Sequence, residues 1–333
     1  MKAAYVIAKG RPPVFRADVP VPEAKEGSGL VVVTVTAAAL TNLTKAKAAG
    51  THYTAAEGEG FAPFVPGFDG VGRTEDGRRV LFVSPALPTG SLGAKALVNP
   101  SMLIDIPDAV DDVTAAAIAN PGMSVVASLV ERARFVAGES VLINGATGAG
   151  GVMAVQVAKR LGAKRIVVTG RNAGELEKLR ALGATSTVAL PSNADAASLA
   201  ALEAALIAEF SSKEGSIDAV VDYLWGPTAR TIISAIAKGT PDAHRVRFVQ
   251  VGGASGQENI DLPCAALRSS AIELLGSGLR SVPIAVLLGT MRTTLELASA
   301  EPFVLRTTAV PIERVEETWA APGGCYPRVV FTL

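Results

Sequence analysis

One stretch constrains the fold more than any other: Ile143-Asn144-Gly145-Ala146-Thr147-Gly148-Ala149-Gly150-Gly151. It joins an apolar, strand-like run at 140–144 to a helix-like run at 152–161 whose small residues share one face. Glycines at 145, 148 and 151 remove the Cβ atoms that would keep backbone N–H groups away from a pyrophosphate. The helix that follows offers the positive end of its dipole to the same group. Gly151 lets that helix pack closely on the strand. A plain tight turn is the competing reading, since glycine-rich turns are common. Here the strand before, the helix after and a further strand at 165–169 supply the context that a dinucleotide-binding unit requires.

The alternation continues with a helix at 173–182 closed by Gly183, a strand at 187–189, a strand at 217–221, a helix at 228–236 and a strand at 246–250. That pattern predicts an α/β unit with a doubly wound parallel sheet. The end of the second strand should tell the two nicotinamide cofactors apart. An acidic residue there holds a ribose 2′-hydroxyl, whereas a cation receives a 2′-phosphate. The residues are Thr169-Gly170-Arg171-Asn172, with no acid among them. The planar donors of Arg171 suit phosphate, so NADPH is expected over NADH; a solvated surface arginine is the alternative. The expected cofactor contacts are Thr147, Gly148, Ala149, Gly150, Gly151, Gly170, Arg171 and Asn172.

Before this unit the chain is β-rich and cut by turns. Residues 30–36, 79–83 and 94–99 read as strands, and 41–49 as a short helix stopped at Gly50. Past Pro263 the pattern is mixed, with a helix near 283–298 and a last strand at 328–332. The two ends are expected to fold together as one discontinuous domain, 1–118 with 264–333, around a nucleotide-binding domain at 119–263. Thirty-one basic and 31 acidic residues cancel, which leaves no electrostatic footprint for nucleic acid. The mean hydropathy of +0.36 calls for a membrane check. The long apolar stretches 113–130 and 141–158 are interrupted by Asn120-Pro121-Gly122 and by four glycines, so no membrane partner and a cytoplasmic location are expected. Two cysteines, Cys264 and Cys325, cannot make a four-thiolate zinc site.

In the order Met1-Lys2-Ala3-Ala4, Val19-Pro20-Val21-Pro22, Pro66-Gly67-Phe68-Asp69-Gly70, Gly77-Arg78-Arg79-Val80, the glycine loop and Leu182-Gly183-Ala184, the chain resembles the medium-chain dehydrogenase/reductase superfamily, and within it the zinc-independent quinone and enone reductases. The resemblance implies a GroES-like β-rich catalytic domain joined to a Rossmann domain. It also implies NADPH-dependent hydride transfer to a quinone or to the C=C bond of an α,β-unsaturated carbonyl. The superfamily's zinc alcohol dehydrogenases carry a Cys and a His where this chain has Thr41 and Phe68, and neither replacement is a zinc ligand, so no metal is expected. A zinc-free carbonyl reductase or alcohol dehydrogenase and a non-catalytic NADPH-binding sensor are the rival readings.

The same resemblance places candidate catalytic groups at Tyr53, His52, Asn42 and Thr44. Related enoyl reductases carry a Tyr two residues after the equivalent of Gly50, where this chain has His52, with Tyr53 next. Asn42 and Thr44 stand in an altered Asn-Pro-x-Asp pattern, and a helix-capping role competes there. Asn120, in Asn120-Pro121-Gly122-Met123-Ser124, is expected beside the nicotinamide, or as the cap of a helix running from Gly122. Val251, Gly252 and Gly253 are expected against the nicotinamide ribose. A homodimer paired through a strand at 260–262, and a substrate-selecting loop at 55–64, complete the expectations.

Overall fold

The computed structural model describes residues 1–54, 61–321 and 326–333. The chain begins with β1 (Ala3–Tyr5), β2 (Val14–Arg16), β3 (Val31–Ala39), α1 (Asn42–Ala49), β4 (Asp69–Thr74), β5 (Arg79–Val83), β6 (Lys95–Val98) and β7 (Leu103–Asp105). It continues through α2 (Asp112–Val126), β8 (Ser140–Asn144), α3 (Ala149–Arg160), β9 (Arg165–Gly170), α4 (Ala173–Leu182), β10 (Ser186–Ala189) and α5 (Ala196–Phe210). Then come β11 (Ala219–Asp222), α6 (Gly226–Gly239), β12 (Arg245–Gln250), α7 (Cys264–Arg268), β13 (Ala271–Gly276) and α8 (Ile284–Ala300). The described chain closes with β14 (Thr307–Pro311), α9 (Val315–Ala320) and β15 (Arg328–Thr332). Two compact units result, Met1–Pro121 with Met291–Leu333, and Gly122–Thr290.

The second unit is built on a six-stranded sheet in the order β10-β9-β8-β11-β12-β13, parallel throughout. Strands β8, β9 and β11 are buried along their whole length, as their unbroken apolar runs require when helices cover both faces. The core on one face gathers Leu142, Val167, Val220 and Phe248 from the strands with Leu206, Phe210 and Ile232 from α5 and α6. The chain steps outward from β8 to β9 and β10, then returns to lay β11 on the other side of β8. The carboxyl ends of β8 and β11 therefore form the topological switch point where sheets of this kind bind ligands.

The first unit holds a seven-stranded sheet, β14-β15-β3-β4-β5-β7, with β6 also paired to β3 and a β-bulge where β3 passes β4 between Val35 and Ala37. All its pairings are antiparallel except β14 with β15. A separate two-stranded sheet joins β1 and β2. The terminal strand β15 pairs with β3, which makes the ends of the chain one folding unit. This is a mixed α/β fold with a GroES-like β-rich unit and a Rossmann unit.

Several local expectations are corrected. Residues 260–262 form no strand; the sheet edge is β13, so the parallel sheet runs past position 263. Helix α3 begins at Ala149, three residues earlier than the glycines suggest, because Gly148 rather than Gly151 is its N-cap. Helix α2 does not start at Asn120. It starts at Asp112, where Asp111 accepts the Thr114 N–H at 2.9 Å, and it runs on through Pro121 into a π-helical turn at Ala127–Arg132. Pro121 removes one helix hydrogen bond, yet most residues between 115 and 129 are buried, and that burial outweighs the local penalty. Although Asp112–Arg132 is apolar and long enough to cross a membrane, 72% of its most apolar window is buried inside the protein, as in a core helix.

Burial also perturbs one carboxyl. Asp69, at the start of β4, is 3% exposed and its Oδ2 has no hydrogen-bond partner among the described residues. Desolvation pushes its carboxyl up to about 7, against the opposing pull of the Arg328 guanidinium. An unfolded aspartate ionises near pH ~4. Between those values the unfolded chain has lost the proton and the folded chain keeps it, so stability falls as pH rises through this window and levels off above about 7. Asp69→Asn cannot ionise. Its melting temperature is expected to gain on the wild type as pH rises from 4 to 8, by the equivalent of about 2–4 kcal/mol. Parallel pH–stability curves for the two proteins would contradict this assignment.

Candidate functional site

The carboxyl ends of three adjacent strands are stitched together at the switch point. Thr169 of β9 donates its hydroxyl to Asn144 Oδ1 at 2.6 Å and accepts the Gly145 N–H at 3.1 Å. Asn144 Nδ2 in turn donates to Asp222 Oδ1 of β11 at 2.7 Å and to Thr228 at 3.2 Å. Asp222 also accepts the backbone N–H groups of Leu224 and Trp225, each at 3.1 Å. Burial raises the Asp222 carboxyl above its ordinary range, while these donors hold it down. Trp225 sits at φ +60° and ψ −161°, a region that glycine alone occupies without strain. The Asp222 carboxylate and a bond from the indole Nε1 to the Glu258 carbonyl at 3.1 Å hold it there.

Between β8 and α3 each glycine answers a different steric demand. Gly145 turns the chain at φ +84°. A Cβ on Gly151 would lie 2.3 Å from Ala146 Cα, so helix and loop are in backbone contact. A Cβ on Gly150 would meet the Tyr223 ring at 3.0 Å, and one on Gly170 would meet Thr147 Cγ2 at 2.7 Å. Gly148 is different: a Cβ there would meet nothing within 4 Å. It caps α3 without a side chain, which leaves the first-turn N–H groups of the helix available to an anion. Nearby, the Tyr223 hydroxyl is buried with no hydrogen-bond partner among the described residues, and burial pushes its ionisation well above the usual tyrosine range.

Past β9, Arg171 is exposed and makes no ion pair among the described residues, whereas Lys178 is taken by Glu175 at 2.8 Å. Asn172 N-caps α4, accepting the Glu175 N–H at 3.0 Å, so its side chain already has a structural task. The N–H groups of Val251 and Gly252 donate to the Asp222 carbonyl at 2.8 and 3.1 Å, while Gly253 faces open space. Beside Gly253 lies a cavity of about 650 Å³ lined by Trp225, Gln250, Glu258, Leu274 and Gly276. Sequence reasoning did not find it, because Trp225 carries no motif; its positive φ is a property of the folded chain.

The candidate catalytic residues belong to the first unit, at the two ends of α1. Thr41 N-caps the helix, accepting the Thr44 N–H at 2.9 Å, and the two hydroxyls lie 2.9 Å apart. The cap is therefore Thr41 rather than Asn42 or Thr44; Thr44 is buried against it, while Asn42 is exposed. Beyond the C-cap Gly50, His52 Nδ1 lies 2.7 Å from the Thr54 hydroxyl and 3.2 Å from the Thr54 backbone nitrogen. Tyr53 is 57% exposed, its ring 4.1 Å from that of His52. Asn120 lies within α2 in this same unit. Residues 55–60 of the expected substrate loop and Cys325 fall outside the described residues, and Cys264 is exposed with a free thiol. Among the described residues no three His, Cys, Asp or Glu side chains gather as a metal site.

Comparison with known proteins places this architecture. A model of the zinc-binding dehydrogenase family matches residues 150–299. The quinone oxidoreductase of Sus scrofa is 29% identical over 187 residues, covering 53% of this chain and 54% of that protein. The solved quinone oxidoreductase of Thermus thermophilus, also determined as its complex with NADPH, superposes with a TM-score of 0.77 at 25% identity and full coverage of both chains. By these likenesses the chain is similar to the quinone oxidoreductases of the medium-chain dehydrogenase/reductase superfamily. Another structural neighbour is a 2-haloacrylate reductase, with a TM-score of 0.78 at 20% identity over 100% of this chain and 99% of that one. The chain spans about half the length of the curated quinone oxidoreductases it matches, and 8% of a matching polyketide synthase subunit from Mycobacterium tuberculosis. The two positions at which the resemblance would put zinc ligands hold Thr41, a helix cap, and Phe68, a buried ring.

Proposed function

We propose that this protein is an NADPH-dependent reductase that transfers hydride, without a catalytic metal, to a quinone or to the C=C bond of an α,β-unsaturated carbonyl. The observation that carries the cofactor reading is the side-chain-free N-terminus of α3 at the switch point, with the open face of Gly148 in front of it. Residues 147–151 would hold the pyrophosphate, Arg171 the 2′-phosphate, and Gly252 and Gly253 would let the nicotinamide ribose approach. The buried Tyr223 hydroxyl at Gly150 is a polar group in want of a partner, which a bound dinucleotide would supply. NADPH bound there supplies the hydride. The acceptor class rests on the quinone oxidoreductase relative and on the 2-haloacrylate reductase, whose name denotes reduction of an activated alkene.

The test is consumption of NADPH with a quinone, a linear 2-enone and a saturated ketone, each with and without a chelator. Chelator-resistant turnover of the first two is expected. Turnover of the ketone alone would point to a carbonyl reductase, and saturable NADPH binding with no acceptor reduced would point to a sensor. Arg171→Ala provides the cofactor test. Loss of one charge-assisted contact to phosphate is expected to weaken NADPH binding about 10- to 100-fold and leave NADH binding unchanged. Equal losses for both cofactors would remove Arg171 from the 2′-phosphate site.

A further inference from the structure

The cavity beside Gly253 is lined wholly by residues of the second unit, and none of the chemistry derived above fills it. Its volume of about 650 Å³ lies within the range of pockets that hold small organic ligands, roughly 300–1,000 Å³. One wall is the indole of Trp225. Its Nε1–H is spent on the Glu258 carbonyl at 3.1 Å, and Asp222 accepts the Trp225 backbone N–H at 3.1 Å. Held at both ends, this side chain can offer a ligand only its apolar ring. Strained backbone such as that of Trp225 persists only where its surroundings hold it, and it clusters at ligand clamps. Phe248 of β12 and Leu275 of β13 add apolar surface to the lining. Leu274 adds more and is 41% exposed, so covering it with another apolar group is favourable.

The polar side chains of the lining are two amides and one carboxylate. Gln250 donates Nε2 to the Gly252 carbonyl at 3.1 Å, which leaves its Oε1 without a donor among the described residues. The Gln257 amide and the Glu258 carboxylate likewise have no side-chain partner among them. No lysine, arginine or histidine lines the cavity among the described residues. An anion entering here would give up hydration, find no cation and meet the Glu258 charge. A neutral ring system gives up little hydration, covers Leu274 and stacks on the indole, and Gln250 Oε1 can accept one donor from it. We propose that this cavity is a binding site for a neutral, flat, largely aromatic molecule and that it rejects anionic ones. The proposal goes beyond the reductase reading and does not depend on it, since the cofactor contacts assigned above share only Gly253 with this lining.

The test uses two fluorescent dyes with one ring skeleton, neutral N-phenylnaphthylamine and anionic anilinonaphthalene sulfonate, titrated into the full-length protein without cofactor. The chain has two tryptophans, so Trp319→Phe leaves Trp225 as the sole indole emitter. The neutral dye is expected to bind that protein saturably, one molecule per chain, and to quench most of the Trp225 emission. The sulfonate should bind at least about 10-fold more weakly. Leu274→Asp should weaken binding of the neutral dye about 10-fold, because it sets a carboxylate against the rings. Glu258→Lys should bring the sulfonate to within about threefold of the neutral dye. That gain is read at an unchanged melting temperature, since a loosened fold also takes up this dye. Trp225 emission unquenched at saturating neutral dye, equal affinity for the two dyes, or wild-type binding by Leu274→Asp overturns the proposal.

Discussion

Gly151→Ala is expected to abolish measurable NADPH binding and to destabilise the second unit by about 3 kcal/mol. The added methyl would sit 2.3 Å from Ala146 Cα and 2.6 Å from its carbonyl oxygen. These are backbone atoms, so no rotamer change relieves the clash, and α3 must move off the loop whose N–H groups it presents. Gly148→Ala is the informative control. A Cβ there meets nothing within 4 Å, and φ is −88°, which any residue tolerates. Its stability should match the wild type while cofactor affinity falls, because the methyl would occupy ground needed by the ligand. Thermal denaturation and a fluorescence titration with NADPH on both variants separate the two effects. Wild-type cofactor affinity in Gly151→Ala would contradict this account of the loop.

Asp222→Ala carries the second large effect, by a different route. Removing the carboxylate strands Asn144 Nδ2 and the N–H groups of Leu224 and Trp225, which it now satisfies at 2.7–3.1 Å. Each buried donor left without an acceptor costs about 1–3 kcal/mol, so a total of about 3–6 kcal/mol is expected, a fall in melting temperature on the order of 10 °C. The strained backbone of Trp225 would lose its anchor at the same time. Near-UV circular dichroism should report that release as a changed tryptophan signal. A melting temperature within two or so degrees of wild type would show that the carboxylate does not hold the three strands together.

The contrast between these sites shows what local sequence could and could not announce. Gly145, Gly148 and Gly151 declared themselves because short-range sterics dictate where a strand can turn into a helix. Gly50 and Gly183 as C-caps follow from hydrogen bonds spanning three or four residues. Asp222 was legible only as the end of a strand. Its role depends on β11 lying beside β8, 78 residues earlier in the chain.

By itself, then, the sequence determined the elements whose causes are local: the glycine turn, the alternating strands and helices of the Rossmann unit, and the absence of an acid at the end of β9. Tertiary structure alone decided that α2 runs through Pro121, that β13 rather than 260–262 forms the sheet edge, and that Asp69 is buried deeply enough to titrate near neutrality. The physical reason is common to all three. Helix continuity past a proline, edge pairing and the ionisation of a carboxyl are set by how much water the surrounding chain removes. That quantity exists only once distant segments have packed.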